Sequence, residues 1–147
     1  MRCVTVLDIS GAALARARTR LGKQHTVQWI EADVTGDWQR PAESVDIWHD
    51  RAVFHFLTDV EDRARYLTHL RQTVRLGGNV IIATFALDGP TKCSGLPVAR
   101  YSAETLGAEL GPGFTLADTV TEAHQTPAGV MQSFCYSWFR RVGYVLL

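Results

Sequence analysis

The chain has 147 residues, of which 46% are hydrophobic and 20% are charged. This composition is that of a globular protein with a core of single-domain size. Fifteen basic residues balance fifteen acidic ones, so no net field would attract nucleic acid or a membrane surface. No apolar run approaches the roughly 18 residues that span a bilayer, and a charged-then-apolar signal peptide is not expected at the N-terminus.

The three cysteines, Cys3, Cys93 and Cys135, are far apart and form no CxxC pair. Their spacing predicts neither a disulfide framework nor a metal site. A reducing cytoplasm is therefore the expected compartment. Cys3 and Cys135 fall within predicted strands and are expected to be buried thiols.

The first part of the chain alternates strands with a helix. Cys3 to Leu7 is an apolar run that predicts a buried strand. Ser10 is a good N-cap for the helix that follows, and Gly22 should end it. Thr26 to Ile30 and Val45 to Trp48 are expected to be the next two strands.

Residues 58–61 (Thr-Asp-Val-Glu) form a capping box, which predicts the start of the clearest helix in the chain. Gly77 and Gly78 should end that helix. Four arginines of this segment are expected to lie on a solvated helix face: Arg63, Arg65, Arg71 and Arg75.

The second half predicts a central strand, a loop, a short helix and a hairpin. Residues 80–84 are a β-branched apolar run typical of a buried strand. Residues 88–97 form a turn-rich loop, and Ser102 should cap a short helix. Residues 114–122 and 131–142 have no helical pattern between them and therefore predict an antiparallel hairpin.

These elements predict one Rossmann-like α/β domain over residues 1–147. Its sheet would be mainly parallel and doubly wound, with an antiparallel hairpin at the C-terminus. Binding crevices in such sheets lie outside the carboxyl ends of the strands. That rule places Asp8, Asp33, residues 49–51 and residues 85–97 at one rim.

Each rim residue has a structural explanation beside a functional one. Asp8 could accept hydrogen bonds from the two hydroxyls of a ribose, or it could cap the following helix. Asp33 could accept a bond from a purine amine, with the Val34 N–H bonding a ring nitrogen, or it could be a turn residue. His49 is either structural or catalytic, and His55 does not complete a metal site with it.

Four segments stand in one order along nearly the whole chain: Val-Leu-Asp8-Ile-Ser, Glu31-Ala-Asp33-Val, Val-Asp-Ile-Trp-His49-Asp-Arg-Ala-Val-Phe-His-Phe-Leu and Gly-Gly-Asn-Val-Ile-Ile-Ala-Thr-Phe. Together they resemble class I S-adenosylmethionine-dependent methyltransferases, and most closely the small bacterial ones. The resemblance implies S-adenosylmethionine as the cofactor. It also implies that Asp8 holds the ribose with Ile9 packing near the adenine, and that Asp33 and Val34 contact the adenine ring.

The resemblance further implies that His49 and Arg51 line the pocket near the methionine end of the cofactor. The methyl acceptor would face residues 88–97, Arg100, Tyr101 and His124. A sulfonium methyl group is already activated, so the enzyme mainly aligns the reactants and excludes water. If the acceptor is a thiol or hydroxyl that must lose a proton, His49 is the first candidate for the catalytic base.

The function implied is methyl transfer from S-adenosylmethionine to a small-molecule acceptor. The alternative is a catalytically inactive methyltransferase-like remnant that serves as a binding or interaction module. A nicotinamide-dependent dehydrogenase would share the ribose carboxylate. The antiparallel tail and the Asp33–Val34 pair argue against that third possibility.

The family's first strand and glycine-rich loop precede the position of Asp8, so the fold is expected to be incomplete at its N-terminus. The missing strand is central in the family's order, and each unsatisfied backbone group in an empty slot would cost about 1–3 kcal/mol. Three solutions follow: a fragment of a longer product, a second copy that completes the sheet, or direct pairing of the two neighbouring strands. A truncated methyltransferase that forms a homodimer is the favoured expectation.

Overall fold

A computed structural model describes residues 3–23 and 26–143, and these residues fall into two compact units. Unit 1 ends at Gln39 and unit 2 begins at Arg40. Unit 1 contains β1 (Val4–Asp8), α1 (Gly11–Leu21) and β2 (Val27–Glu31). The expectation of a single domain over residues 1–147 stays a prediction.

The ends of α1 follow the predicted signals. The side chain of Ser10 accepts a hydrogen bond of 3.1 Å from the Ala13 N–H, which satisfies one N–H of the first helical turn. Gly22 follows the helix at φ +74, a conformation that glycine adopts without strain. Leu14 is the buried residue of the helix. Both predicted boundaries are confirmed.

β1 and β2 form a parallel pair in which Val4 lies opposite Val27 and Asp8 opposite Glu31. The prediction that β1 is buried is wrong: none of its residues is buried, and Val4 is 53% exposed. Cys3 is also exposed, whereas Cys135 is buried as predicted. An apolar strand becomes buried only when neighbours cover it, and the sheet of unit 1 has two strands and one helix.

Unit 2 is built on a four-stranded sheet with the order β3-β4-β8-β7. β3 is parallel to β4, and β4, β8 and β7 run antiparallel to one another. Its elements are β3 (Val45–Arg51), a 3-10 helix (Phe54–Phe56), α2 (Val60–Thr73), β4 (Val74–Phe85), β5 (Lys92–Cys93), β6 (Leu96–Pro97), α3 (Ala103–Leu110), β7 (Phe114–Gln125) and β8 (Met131–Arg141). The predicted α/β class, with parallel pairing and a C-terminal antiparallel hairpin, is confirmed.

The core of unit 2 is made by the sheet together with apolar side chains of α2 and α3. Alternate residues of each strand point to the same face, so only every second side chain of β4 and β8 can join a given side of the core. Fully buried members include Tyr66, Leu70, Val80, Ile82, Leu106, Leu110 and Phe139.

The predicted boundaries of α2 need correction at both ends. Its N-cap is Asp59 and not Thr58, because the Asp59 carboxylate accepts hydrogen bonds from the Glu61 and Asp62 N–H groups. The helix ends at Thr73, and Gly77 and Gly78 lie inside β4.

The glycine pair belongs to a bulged part of β4. The register with β3 jumps there, from Val45 opposite Val74 to Ile47 opposite Asn79. Gly77 adopts φ +74, which favours glycine within a strand that has to take up extra residues. The pair therefore serves a bulge and not a helix end.

The four arginines expected on one solvated helix face differ in their surroundings. Arg65 is exposed and pairs with Glu61 and Asp62, as expected for a surface position. Arg71 instead donates a hydrogen bond of 2.9 Å to the Leu110 carbonyl at the end of α3. Arg75 belongs to β4. The prediction of a single solvated face is therefore wrong.

β1 and β3 lie in different sheets. None of the helices within residues 3–23 and 26–143 has the length and apolar character needed to cross a membrane.

Candidate functional site

In unit 1 the side chain of Asp8 lies at the carboxyl end of β1. Its Oδ1 atom accepts a hydrogen bond of 2.8 Å from the Ser10 N–H. Asp8 therefore braces the N-cap residue of α1, and Ser10 itself provides the cap. Among the described residues no hydrogen bond uses Oδ2 of Asp8, and a carboxylate has room for about four hydrogen bonds in all.

Asp33 and Val34 follow β2 at the same edge of the parallel pair, since Asp8 and Glu31 are register partners. Oδ1 of Asp33 accepts bonds from the N–H and the hydroxyl of Thr35, at 2.8 and 2.7 Å. Asp33 is thus a turn residue, which is the structural role considered for it in the sequence analysis. The Val34 carbonyl accepts from the Trp38 indole at 2.9 Å, whereas the Val34 N–H donates to no described residue.

Two further side chains mark this edge. Ile9, directly after Asp8, is 68% exposed. The Glu31 carboxylate lies against the start of α1, where a Cβ atom added to Gly11 would stand 2.7 Å from Oε2. A carboxylate there also complements the N-terminal dipole of the helix.

In unit 2, residues 49–51 were expected to lie beyond the third strand, but they are the last three residues of β3. His49 and Arg51 lie opposite Ile81 and Ala83 of β4. Trp48 and Asp50 alternate with them and therefore point to the other face of the sheet. His49 and Arg51 are exposed, whereas Asp50 is buried. The strand thus separates a solvent-accessible pair of basic residues from a buried carboxylate.

Asp50 anchors a hydrogen-bond network that sequence reasoning missed. Its Oδ1 and Oδ2 atoms accept from the Val53 and Phe54 N–H groups at 3.0 Å, and Oδ2 accepts from the Tyr66 hydroxyl at 2.6 Å. The Trp48 indole donates to the same hydroxyl at 2.9 Å. Burial raises the pKa of Asp50, and the hydrogen bonds from Tyr66 and the backbone oppose that rise. The alternation of β3 was the available signal, because residues 48 and 50 share a face.

The chain turns directly after Arg51. Ala52 adopts φ +62 and donates a hydrogen bond of 2.9 Å to the Ala83 carbonyl. The 3-10 helix then places His55 in the core, where its Nδ1 atom accepts from the Phe85 N–H at 3.1 Å. Burial lowers the pKa of His55 to about 4, so the ring is neutral at pH 7. Its Nε2 atom is buried without a hydrogen-bond partner in the described part of the chain.

The residues expected to face the acceptor differ in their burial and in their contacts. Tyr101 is buried against Phe54, with ring centroids 5.4 Å apart. Arg100 donates a hydrogen bond of 3.0 Å to the Gly89 carbonyl. His124 packs edge-on against Phe134 at 6.1 Å. The loop over residues 88–97 is folded into a small hairpin of β5 and β6.

The side chain of Arg51 is held by two residues of β8. Its Nε atom donates a hydrogen bond of 2.9 Å to the Tyr136 hydroxyl. Its guanidinium carbon lies 4.4 Å from the centroid of the Phe134 ring, a cation–π contact. Neither β8 residue had been singled out in the sequence, because the register of the hairpin against β4 could not be known in advance.

Residues 2–82 match the family model described as a methyltransferase domain. The chain therefore belongs to the methyltransferase-domain family, and its class is that of the class I S-adenosylmethionine-dependent methyltransferases. The match spans β1 to most of β4 and contains every residue predicted to bind the cofactor. The family predicted from the sequence is confirmed, and so is its cofactor, S-adenosylmethionine.

Solved structures support the same fold. An S-adenosylmethionine-dependent methyltransferase from Methanosarcina mazei aligns with a TM-score of 0.74 at 12% identity, covering 95% of this chain and 82% of that one. The N-methyltransferase NodS from Bradyrhizobium japonicum aligns with a TM-score of 0.74 at 18% identity, covering 95% and 73%. NodS in complex with S-adenosylhomocysteine aligns at 0.69 and 17%, covering 93% and 65%. No curated protein matches the sequence.

Proposed function

We propose that this protein transfers the methyl group of S-adenosylmethionine to a small-molecule acceptor. The observation that carries the proposal is the Asp8 carboxylate at the end of β1, inside the segment that matches the methyltransferase domain. An acidic residue at this place in a nucleotide-binding α/β fold holds ribose hydroxyls. NodS, a structural neighbour, is described as an N-methyltransferase and has been crystallised with S-adenosylhomocysteine.

Three atoms or groups of unit 1 fit the nucleoside part of this cofactor. Oδ2 of Asp8 has acceptor capacity for ribose hydroxyls. The exposed Ile9 side chain offers an apolar surface to a purine ring. The Val34 N–H, which donates to no described residue, suits a ring nitrogen. Asp33 is the weaker candidate, because its Oδ1 atom already accepts two hydrogen bonds from Thr35.

His49 of unit 2 is the residue that we assign to the methionine part of S-adenosylmethionine, and the resemblance implies the same place for Arg51. When bound, S-adenosylmethionine supplies a methyl group activated by its positive sulfur. The protein then has to hold the acceptor in line with that group and exclude water. His49 is exposed at the end of β3, so it can take the proton that a thiol or hydroxyl acceptor releases. We therefore name His49 as the candidate catalytic base.

Titration calorimetry of the full chain with S-adenosylmethionine and S-adenosylhomocysteine tests the proposal. We expect both ligands to bind. S-adenosylhomocysteine, the product of methyl transfer, should also raise the midpoint of thermal unfolding. Absence of heat and of a thermal shift at millimolar ligand would overturn the enzymatic function. Binding without methyl transfer to any acceptor would favour the inactive binding module.

We further propose that two copies of the chain associate to complete the sheet. The support is that β1 and β3, each at the end of its own sheet's strand order, present backbone donors and acceptors that a further strand can pair. Light scattering coupled to size-exclusion chromatography should give twice the monomer mass of 16.3 kDa. A monomer at all concentrations would contradict this assembly.

A further inference from the structure

The guanidinium of Arg51 is fixed on two sides although the residue is exposed. The Tyr136 hydroxyl accepts from Nε at 2.9 Å, and the ring of Phe134 supports the planar group at 4.4 Å. Phe134 is itself buried, with its ring packed against Phe85 at a centroid distance of 5.0 Å. An exposed arginine normally keeps considerable rotamer freedom. Here the fold restricts that freedom before any ligand arrives.

Both groups that fix Arg51 are uncharged, so they leave its positive charge uncompensated. Within residues 40–143 no carboxylate pairs with Arg51, and its two terminal nitrogens make no hydrogen bond. Three other arginines of unit 2 do have a carboxylate partner. Arg63 pairs with Glu109, Arg65 with Glu61 and Asp62, and Arg75 with Asp46. Arg51 thus presents a positioned, accessible pair of N–H donors that lacks an anion.

The location of the partners connects Arg51 with the acceptor. Phe134 and Tyr136 lie in β8, beyond the segment that matches the methyltransferase domain, residues 2–82. Cys93 and Val98, at the small hairpin formed by β5 and β6, pack on the same cluster of Ala83, Phe85 and Phe134. The arrangement therefore depends on the C-terminal part of the chain, where the resemblance implies that the acceptor lies.

We propose that Arg51 binds a carboxylate of the methyl acceptor through its two terminal nitrogens, and hence that the acceptor is a small carboxylic acid. Two parallel N–H···O bonds between guanidinium and carboxylate are short, charge-assisted and directional. The inference rests on the proposed methyl transfer and refines the role of Arg51. It places Arg51 against the acceptor, in place of the position at the methionine end of the cofactor that the resemblance implies.

Benzoate and its neutral analogue benzamide are suitable probes, titrated against the full chain with S-adenosylhomocysteine present and followed by ligand-observed NMR. We expect benzoate to bind at least tenfold more tightly than benzamide. Arg51→Gln should abolish this preference. Arg51→Lys should retain a part of it, since lysine keeps the charge and loses the two-pronged geometry. Arg65→Gln, which removes an equal charge from the surface of α2, should leave the preference intact.

Either of two kinds of result would overturn the inference. One is equal binding of benzoate and benzamide to the wild-type protein, or a preference that survives in Arg51→Gln. The other is a loss of S-adenosylhomocysteine affinity of tenfold or more in Arg51→Gln with benzoate binding unchanged, which would assign Arg51 to the cofactor. Failure of the proposed function is seen separately, as absence of S-adenosylhomocysteine binding to the wild-type protein.

Discussion

The hydroxyl of Tyr66 donates a hydrogen bond of 2.6 Å to Oδ2 of Asp50, and this pair ties α2 to the carboxyl end of β3. Both side chains are buried. Burial raises the pKa of Tyr66 well above its ordinary value, and the negative charge of Asp50 adds to that rise. His49 and Arg51 lie on either side of Asp50 in sequence. The buried network therefore sets the position of the strand end that displays them.

Removing the Tyr66 hydroxyl should destabilise the protein. In Tyr66→Phe, Asp50 loses a buried donor and the Trp48 indole loses its acceptor. We expect the free energy of unfolding in urea to fall by about 2 kcal/mol. Tyr101→Phe is the matched control, because Tyr101 is buried and its hydroxyl bonds to no described residue. It should change stability by less than about 0.5 kcal/mol. Equal effects in the two variants would show that the Asp50 network contributes little.

The stability of the fold should fall in mild acid because of His55. Its folded pKa of about 4 lies below the ordinary value of 6.5, so the unfolded chain binds more protons between these values. The stabilisation is complete above pH 6.5 and is lost as the pH falls towards 4. Between pH 7 and 4.5 the free energy of unfolding of the wild type should fall by about 2 kcal/mol more than that of His55→Gln. Parallel stability profiles of the two proteins would contradict this origin.

Neutralising Asp8 should weaken cofactor binding. Asp8→Asn keeps the size of the side chain and removes the charge that strengthens hydrogen bonds from ribose hydroxyls. We expect calorimetry to show an affinity for S-adenosylhomocysteine about tenfold or more lower. Asp37→Asn removes a charge from an exposed position of unit 1 and should bind as the wild type does. A similar loss in both variants would point to net charge and not to a specific contact.

Shortening Ile9 should affect the ligand and not the fold. The side chain is 68% exposed, so Ile9→Ala removes few packing contacts and should leave the unfolding midpoint unchanged. If an adenine ring covers Ile9, the affinity for S-adenosylhomocysteine should drop about five- to tenfold. Val4→Ala, at a position that is 53% exposed in the same unit, is the control. Unchanged affinity in Ile9→Ala would remove Ile9 from the proposed site.

A methyl group at Gly78 should disturb the bulge of β4. An added Cβ atom would stand 2.8 Å from the Arg75 carbonyl oxygen and 2.8 Å from Cγ1 of Val74. We therefore expect Gly78→Ala to lower the free energy of unfolding by about 1–3 kcal/mol. Gly143→Ala meets nothing within 4 Å and should be close to neutral. Wild-type stability of Gly78→Ala would mean that this segment relaxes without cost.

Local signals predicted the fold where they act within a few residues of one another. Ser10 and Gly22 bound α1 as expected, since a cap and a left-handed glycine are determined by their own helix end. Gly77 and Gly78 misled for the opposite reason. The same dipeptide suits a helix end or a strand bulge, and the register of β4 against β3 decides between them.

The candidate site was predictable to the extent that it depends on strand ends. Asp8 could be placed because it ends a recognisable strand, whereas Arg51 was expected beyond the third strand and is in fact its last residue. Tyr66 and Phe134 could not, because their roles arise from packing between segments far apart in sequence. The burial of β1 was overestimated for a related reason. The sequence shows that the strand is apolar, but it does not show which other elements cover it.

The sparse interior of unit 1 has a consequence for ligand affinity. Leu14 and Trp38 are its only buried hydrophobic residues among those described, yet Asp8, Ile9 and Val34 all belong to it. Segments with few buried contacts open at low free-energy cost. The measured affinity then equals the intrinsic affinity multiplied by the fraction of molecules in which this segment is closed. Substitutions that tighten the interior of unit 1 should thus strengthen cofactor binding without touching the cofactor.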